Sequence, residues 1–114
     1  MTTCIFCKIS KKELPAKIVF EDSHCLAFED IHPKAPVHLL VIPKRHIGTI
    51  NEIGSEDEVL LGHLFFIARE LAHQCGVEKT GYRTVINTSP NAGQSVCHIH
   101  LHLLAGRPMH WPPG

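Results

Sequence analysis

The feature that most constrains this chain is the alternation His98-Ile99-His100-Leu101-His102-Leu103-Leu104, centred in a stretch running from Asn87 to Ala105. Successive side chains of an extended strand point to opposite faces. The three histidines therefore share one face, and Ile99, Leu101 and Leu103 share the other. Same-face neighbours stand roughly 6.5 to 7 Å apart, close enough for two imidazoles to approach one small group or converge on a metal. A single strand histidine is ordinarily a surface or hydrogen-bonded residue. Three in strict alternation are costly to crowd, because each protonation opposes the next, so the pattern points to chemistry on one face and core on the other.

The preceding segment, Asn87-Thr88-Ser89-Pro90-Asn91-Ala92-Gly93-Gln94-Ser95, is a run of turn formers after the apolar strand Arg83 to Ile86. Taken alone it is an ordinary hairpin connection. Beside the imidazoles, Gly93, Gln94 and Ser95 offer backbone N–H, amide and hydroxyl donors of the kind that hold an anion, so the loop reads as phosphate-binding.

A chain of 114 residues suffices for one domain with one core, and is small enough for oligomerisation to add burial. Its 11 Lys+Arg balance 11 Asp+Glu, with no basic stripe, which argues against polymeric nucleic acid as a ligand. The compositional outlier is its 10 histidines. Met1 to Ile9 has no secretory pattern and no apolar run approaches the ~20 residues of a membrane span, so a soluble cytoplasmic protein is expected. Five cysteines, an odd count, fit free or metal-bound thiols in a reducing compartment.

Along the chain, Cys4-Ile5-Phe6-Cys7 is a metal hairpin, a redox pair or two small apolar side chains; no βαβ unit surrounds it, and His46 and His98 are available to complete a Cys2His2 site. Lys17 to Glu21 and Cys25 to Phe28 read as a hairpin, and His38 to Ile42 as a central strand after the proline-broken segment Asp30 to Pro36. Ser55-Glu56-Asp57-Glu58 has the form of a capping box, with Glu58 reaching back. It opens a helix of about twenty residues, with Leu60, Leu64, Ile67, Ala68, Leu71 and Cys75 as its apolar stripe and Gly76 as its stop. His63 and His73 lie off that stripe and are expected in solvent. The strand Tyr82 to Asn87 follows, and the chain closes on a tail from Gly106 to Gly114.

The triad resembles the signature of the histidine triad superfamily, and Asn87 with Gly93-Gln94-Ser95 is similar to its Hint branch. The likeness extends through Pro15 to Asp22, Asp30-Ile31, Ala35-Pro36-Val37-His38 and Met109-His110-Trp111-Pro112-Pro113-Gly114. It implies a single HIT domain over residues 1–114 with an α+β fold: an antiparallel sheet, one long helix and a short N-terminal helix. It also implies a homodimer that binds purine mononucleotides and hydrolyses the phosphorus–nitrogen bond of nucleoside phosphoramidates.

By the same resemblance His100 is the nucleophile, His102 and His38 contact phosphate and relay protons, and Asn87 and Ser95 bind phosphate and the leaving group. Gly93 and Gln94 shape the loop, Asp30 holds the ribose hydroxyls, and Ile5, Phe6, Ile9, Phe28 and Ile31 enclose the base. Read from the residues alone, those apolar side chains are simply core. The resemblance to zinc-carrying members implies a structural Zn2+ on Cys4, Cys7, His46 and His98, with no metal needed for catalysis. His32 and Cys97 depart from the animal pattern, which has serine and commonly tyrosine there. The tail is expected near the partner's leaving-group side. Two other readings stay open: a zinc-dependent hydrolase using two triad histidines as ligands, and a mononucleotide-binding module without turnover.

Overall fold

In the computed structural model, which describes residues 3–114, the elements are α1 (Ile5–Ser10), β1 (Ile18–Glu21), β2 (Cys25–Glu29), β3 (Val37–Pro43), α2 (Glu58–Gln74), β4 (Tyr82–Val85) and β5 (Leu101–Ala105). The single-domain expectation and the reading of Met1 to Ile9 both extend over Met1 and Thr2, which lie outside the described residues. The strands form one antiparallel sheet in the order β1-β2-β3-β5-β4. This is the expected α+β architecture with one long helix, and β3 is central as its sequence suggests.

Apart from His38, strand β3 is apolar because it is covered on both faces. Leu39 and Val41 pack with Ile99, Leu101 and Leu103 against Leu64, Ile67, Ala68 and Leu71 of α2. Leu40 and Ile42 point the other way and join Leu26, Phe28, Phe6 and Ile9 beneath α1. The histidine face is therefore also a core face. Helix α1 has only 6 residues and no independent stability. Burial of Phe6 and Ile9, each worth ~1.5 to 3 kcal/mol, fixes it over the sheet.

Four local expectations are corrected. The histidine strand is regular only over Leu101–Ala105. Its partner β3 ends at Pro43, which has no N–H to donate, and the Ile99 N–H instead reaches the Ile47 carbonyl at 2.8 Å. At the start of α2, Asp57 rather than Glu58 reaches back, accepting the Gly54 N–H at 2.9 Å, and the buried Asp57 also pairs with Arg45. Cys75 is exposed as the C-cap residue, one step beyond the apolar stripe.

The fourth correction is His63, which is not simply solvated: its Nε2 lies 2.6 Å from Asp22 Oδ2, tying α2 to the β1–β2 turn. Asp22 Oδ1 accepts the N–H groups of His24 and Cys25 at 2.8 and 2.7 Å. Although partial burial opposes its ionisation, His63 and these donors hold the Asp22 carboxyl well below the usual range. Burial pushes the neighbouring Cys25 thiol up to about 12, which leaves it an inert core side chain.

Candidate active site and metal cluster

Backbone carbonyls orient the first two triad histidines. His98 Nε2–H donates to the Pro43 carbonyl at 2.8 Å, which leaves Nδ1 as the lone-pair nitrogen. His100 donates from Nδ1 to the His98 carbonyl at 2.7 Å, so in its neutral form the lone pair sits on Nε2. Phe6 from α1 packs edge-on to the His100 ring, with centroids 5.1 Å apart. Main-chain geometry thus selects which His100 nitrogen carries the lone pair.

His102 is oriented through His38. The Lys34 N–H donates to His38 Nδ1 at 3.0 Å, which places the His38 proton on Nε2. That nitrogen lies 2.9 Å from His102 Nδ1 and 3.4 Å from Asp30 Oδ2. A proton donated from His38 leaves the His102 proton on Nε2, an atom buried without a hydrogen-bond partner among the described residues. Burial pushes His102 down to about 4, with His100 and His38 adding to the effect. Burial also lowers His38, against the opposing pull of Asp30. Both rings are neutral near pH 7. Asp30, His38 and His102 lie within ligand distance of one another. The short N–H···N link, however, leaves one lone pair between the two facing nitrogens, where two metal ligands need one each.

His100 and His102 form one wall of a cavity of about 380 Å³. Ile5, Phe6, Ile9 and Phe28 line its apolar side, and Asp30, Ile31 and Ser95 lie at its mouth. Ile31 is 84 % exposed, so it is a rim residue rather than an enclosing one. Asp30 accepts the His32 N–H through Oδ1 at 2.8 Å. An apolar slot ending in a carboxylate on one side and imidazoles on the other suits a flat base, a diol and a phosphate in that order.

Cys4, Cys7, His46 and His98 converge behind this wall, their ligand atoms within 4.8 Å of one another. His98 Nδ1 lies 3.4 Å from Cys4 Sγ, 3.6 Å from Cys7 Sγ and 3.2 Å from His46 Nδ1, and Cys7 Sγ lies 3.3 Å from His46 Nδ1. A zinc tetrahedron with ordinary bond lengths has N···N edges of about 3.3 Å and S···N edges of about 3.6 Å, so the donor set fits that ion. The Pro43 carbonyl, by taking the outer nitrogen of His98, turns its Nδ1 into the cluster. Burial lowers the His98 pKa and keeps that lone pair available.

The turn-rich loop divides its residues between two places. Ser95 lines the cavity beside His100 and His102. The Gln94 side chain accepts the Ser89 N–H at 2.8 Å and donates to the Gly48 and Val96 carbonyls at 2.7 and 3.0 Å, so its amide braces the loop and is not offered to an anion. Gly93, at φ +84, ends the turn, and Asn87 faces a separate groove beside β4 and the tail. Sequence reasoning missed the Lys34 N–H and the Pro43 carbonyl. Backbone groups have no residue signature, so only the fold exposes them.

The family model for the HIT domain matches residues 11–109. An uncharacterised HIT-like protein of Synechococcus elongatus is 54% identical over 110 residues, covering 96% of each chain. A HIT family hydrolase from Legionella pneumophila superposes with a TM-score of 0.97 at 54% identity, over 98% of this chain and 100% of that one. A histidine triad nucleotide-binding protein from Candida albicans gives 0.83 at 30% identity, over 96% and 83%.

Proposed function

This chain belongs to the HIT domain family, and from that premise we propose that it is a single-domain hydrolase of purine nucleoside phosphoramidates that works through a nucleotidyl-histidine intermediate. The observation that carries the reading is the pairing of two ring nitrogens at one cavity: His100 Nε2 as lone-pair nucleophile and His102 Nε2–H as a buried donor awaiting an acceptor. A buried donor without a partner is costly, and a phosphoryl oxygen answers it. The nucleotide-binding name of the Candida albicans relative supports the ligand class.

In the first step the His100 Nε2 lone pair attacks the α-phosphorus and the phosphorus–nitrogen bond breaks, the departing amine taking the Ser95 hydroxyl proton. Water then attacks the phosphorus and returns a proton to Ser95, the bond to His100 breaks, and nucleoside monophosphate leaves. His102 donates to the phosphoryl oxygen throughout, and the His38–Asp30 pair holds it in that tautomer. Asp30 takes the ribose hydroxyls and the Phe6–Phe28 side takes the base.

Cys4, Cys7, His46 and His98 hold structural zinc in this reading; a closed four-ligand site contributes folding energy and offers no open position for water. The assembly is a cytoplasmic homodimer. The edge strand β4 and the exposed α2 side chains Val59, Phe65 and Phe66 supply the surface that a second copy would cover. Among the described residues no helix is long and apolar enough to cross a membrane.

Mass spectrometry of protein quenched during turnover of an adenosine phosphoramidate tests the chemistry. A nucleotidyl adduct on His100 is expected. Turnover without any adduct that is abolished by chelators would replace this reading with the metal-hydroxide route.

A further inference from the structure

We infer that Arg107 is a positioning residue for the histidine relay, fixing through the Lys34 backbone which nitrogen of His38 carries the proton. Its kinetic consequence rests on the hydrolase reading above; its structural content does not.

The chain of contacts begins where β5 ends. Ala105 is paired with Val37, and the next residue, Gly106, has φ +93. A Cβ at position 106 would lie 2.8 Å from Pro36 Cβ, so only glycine lets the strand turn hard against the β2–β3 loop. That turn carries Arg107 over the loop. Its Nε and Nη2 both donate to the Lys34 carbonyl, at 3.1 and 3.0 Å, while Nη1 donates to the Pro108 carbonyl at 2.9 Å. A planar guanidinium gripping one oxygen from two nitrogens restrains a peptide more tightly than one flexible donor does.

Lys34 needs that restraint. It sits between Pro33 and Pro36 in a segment with no sheet partner, and its own side chain only reaches back to the His32 carbonyl. Its N–H nevertheless makes the contact with His38 Nδ1 at 3.0 Å that decides the relay's proton arrangement. If that N–H swings away, His38 is free to carry its proton on Nδ1. His38 Nε2 then presents a lone pair to His102 Nδ1 across 2.9 Å, and the His102 proton must move to Nδ1. The His102 nitrogen facing the cavity becomes a lone pair, which repels a phosphoryl oxygen where the native tautomer binds one. Among the described residues the Arg107 guanidinium bonds to the Lys34 and Pro108 carbonyls, and neither residue lines the cavity, so its effect falls on proton placement and not on the nucleotide's apolar contacts.

Long-range proton–nitrogen NMR of histidine-labelled protein reads the tautomers directly. Wild type should show His38 and His102 protonated at Nε2. Arg107→Ala should show His38 as a mixture of tautomers, and kcat for an adenosine phosphoramidate should fall on the order of tenfold with KM nearly unchanged. Arg107→Lys, which keeps one flexible donor for the carbonyl, should restore part of both signals. If the alanine variant does not fold, Arg107→Met retains the aliphatic stem and is read in its place. Wild-type ring nitrogen shifts in a folded Arg107→Ala or Arg107→Met protein overturn the inference. A wild-type protein without turnover would instead defeat the hydrolase reading and leave the NMR comparison intact.

Discussion

His100 Nδ1 lies 2.7 Å from the main-chain carbonyl of His98, so the residue whose side chain closes the Cys/His cluster also holds the ring of the proposed nucleophile with its backbone. The candidate metal cluster and the proposed reaction site share His98, whose side chain serves the first and whose carbonyl serves the second.

Removing a metal ligand should therefore affect both stability and rate. Cys4→Ser is expected to lose the zinc, to unfold at lower temperature because several kcal/mol of binding energy no longer adds to folding, and to lose kcat as the His98 carbonyl shifts. Metal analysis of protein purified without added zinc, alongside calorimetry, checks this. Wild type isolated without metal, or a serine variant with full metal content, would remove the site.

His100→Ala is expected to abolish turnover while leaving nucleotide affinity within a fewfold of wild type, because the proposed ribose and base contacts come from Asp30 and the Phe6–Phe28 side of the cavity. Phosphoramidate hydrolysis and calorimetric titration with AMP measure the two quantities separately. Substantial hydrolysis by the variant would place the nucleophile elsewhere.

How much of this was legible in the chain depends on where each signal resides. The alternation of His98, His100 and His102 with Ile99, Leu101 and Leu103 showed which side chains part company, and the Cys4–Cys7 spacing with two spare histidines showed a possible ligand set. Side-chain periodicity and ligand spacing are properties of residue order. It did not show that the histidine face is roofed by α1, because a six-residue helix has too little periodicity to announce itself. The tautomers depend on the Lys34 N–H and on the carbonyls of Pro43 and His98, groups that every sequence possesses. His63 looked solvent-facing because its partner, Asp22, is 41 positions away.

Acid should destabilise the fold before carboxylates titrate. His102 is lowered from 6.5 to about 4, so between those values the unfolded chain binds a proton that the folded chain refuses. Stability therefore rises with pH across that window: the contribution is complete above about pH 6.5 and is lost as pH falls toward 4. The lowered His38 acts in the same direction. Urea midpoints for wild type and His102→Gln between pH 7.5 and 4.5 test it. The variant should show a shallower loss, and equal slopes in the two proteins would contradict the assignment.

The tail gives the last prediction. Trp111 is 81 % exposed in the single chain, which rules out burial in its own core, and the Arg83 Nη2 donates to the His110 carbonyl at 3.0 Å, holding the tail along the edge strand β4. The groove between them, which also includes Asn87, is lined by β4, whose Val85 pairs with His102, while His102 itself lines the cavity proposed for the base. In the proposed dimer built on β4 and α2, the resemblance to the Hint branch implies that each tail lies near the partner's leaving-group side. Truncation after Arg107 keeps the Lys34 anchor and removes the aromatic and proline segment. It should change relative kcat/KM among phosphoramidates with different amines while leaving AMP affinity nearly as it was, because the lost contacts act on the leaving group and not on the nucleotide. Competing substrates followed by chromatography, with light scattering for mass, measure both parts. A monomer in solution, or an unchanged amine preference after truncation, would separate the tail from selectivity.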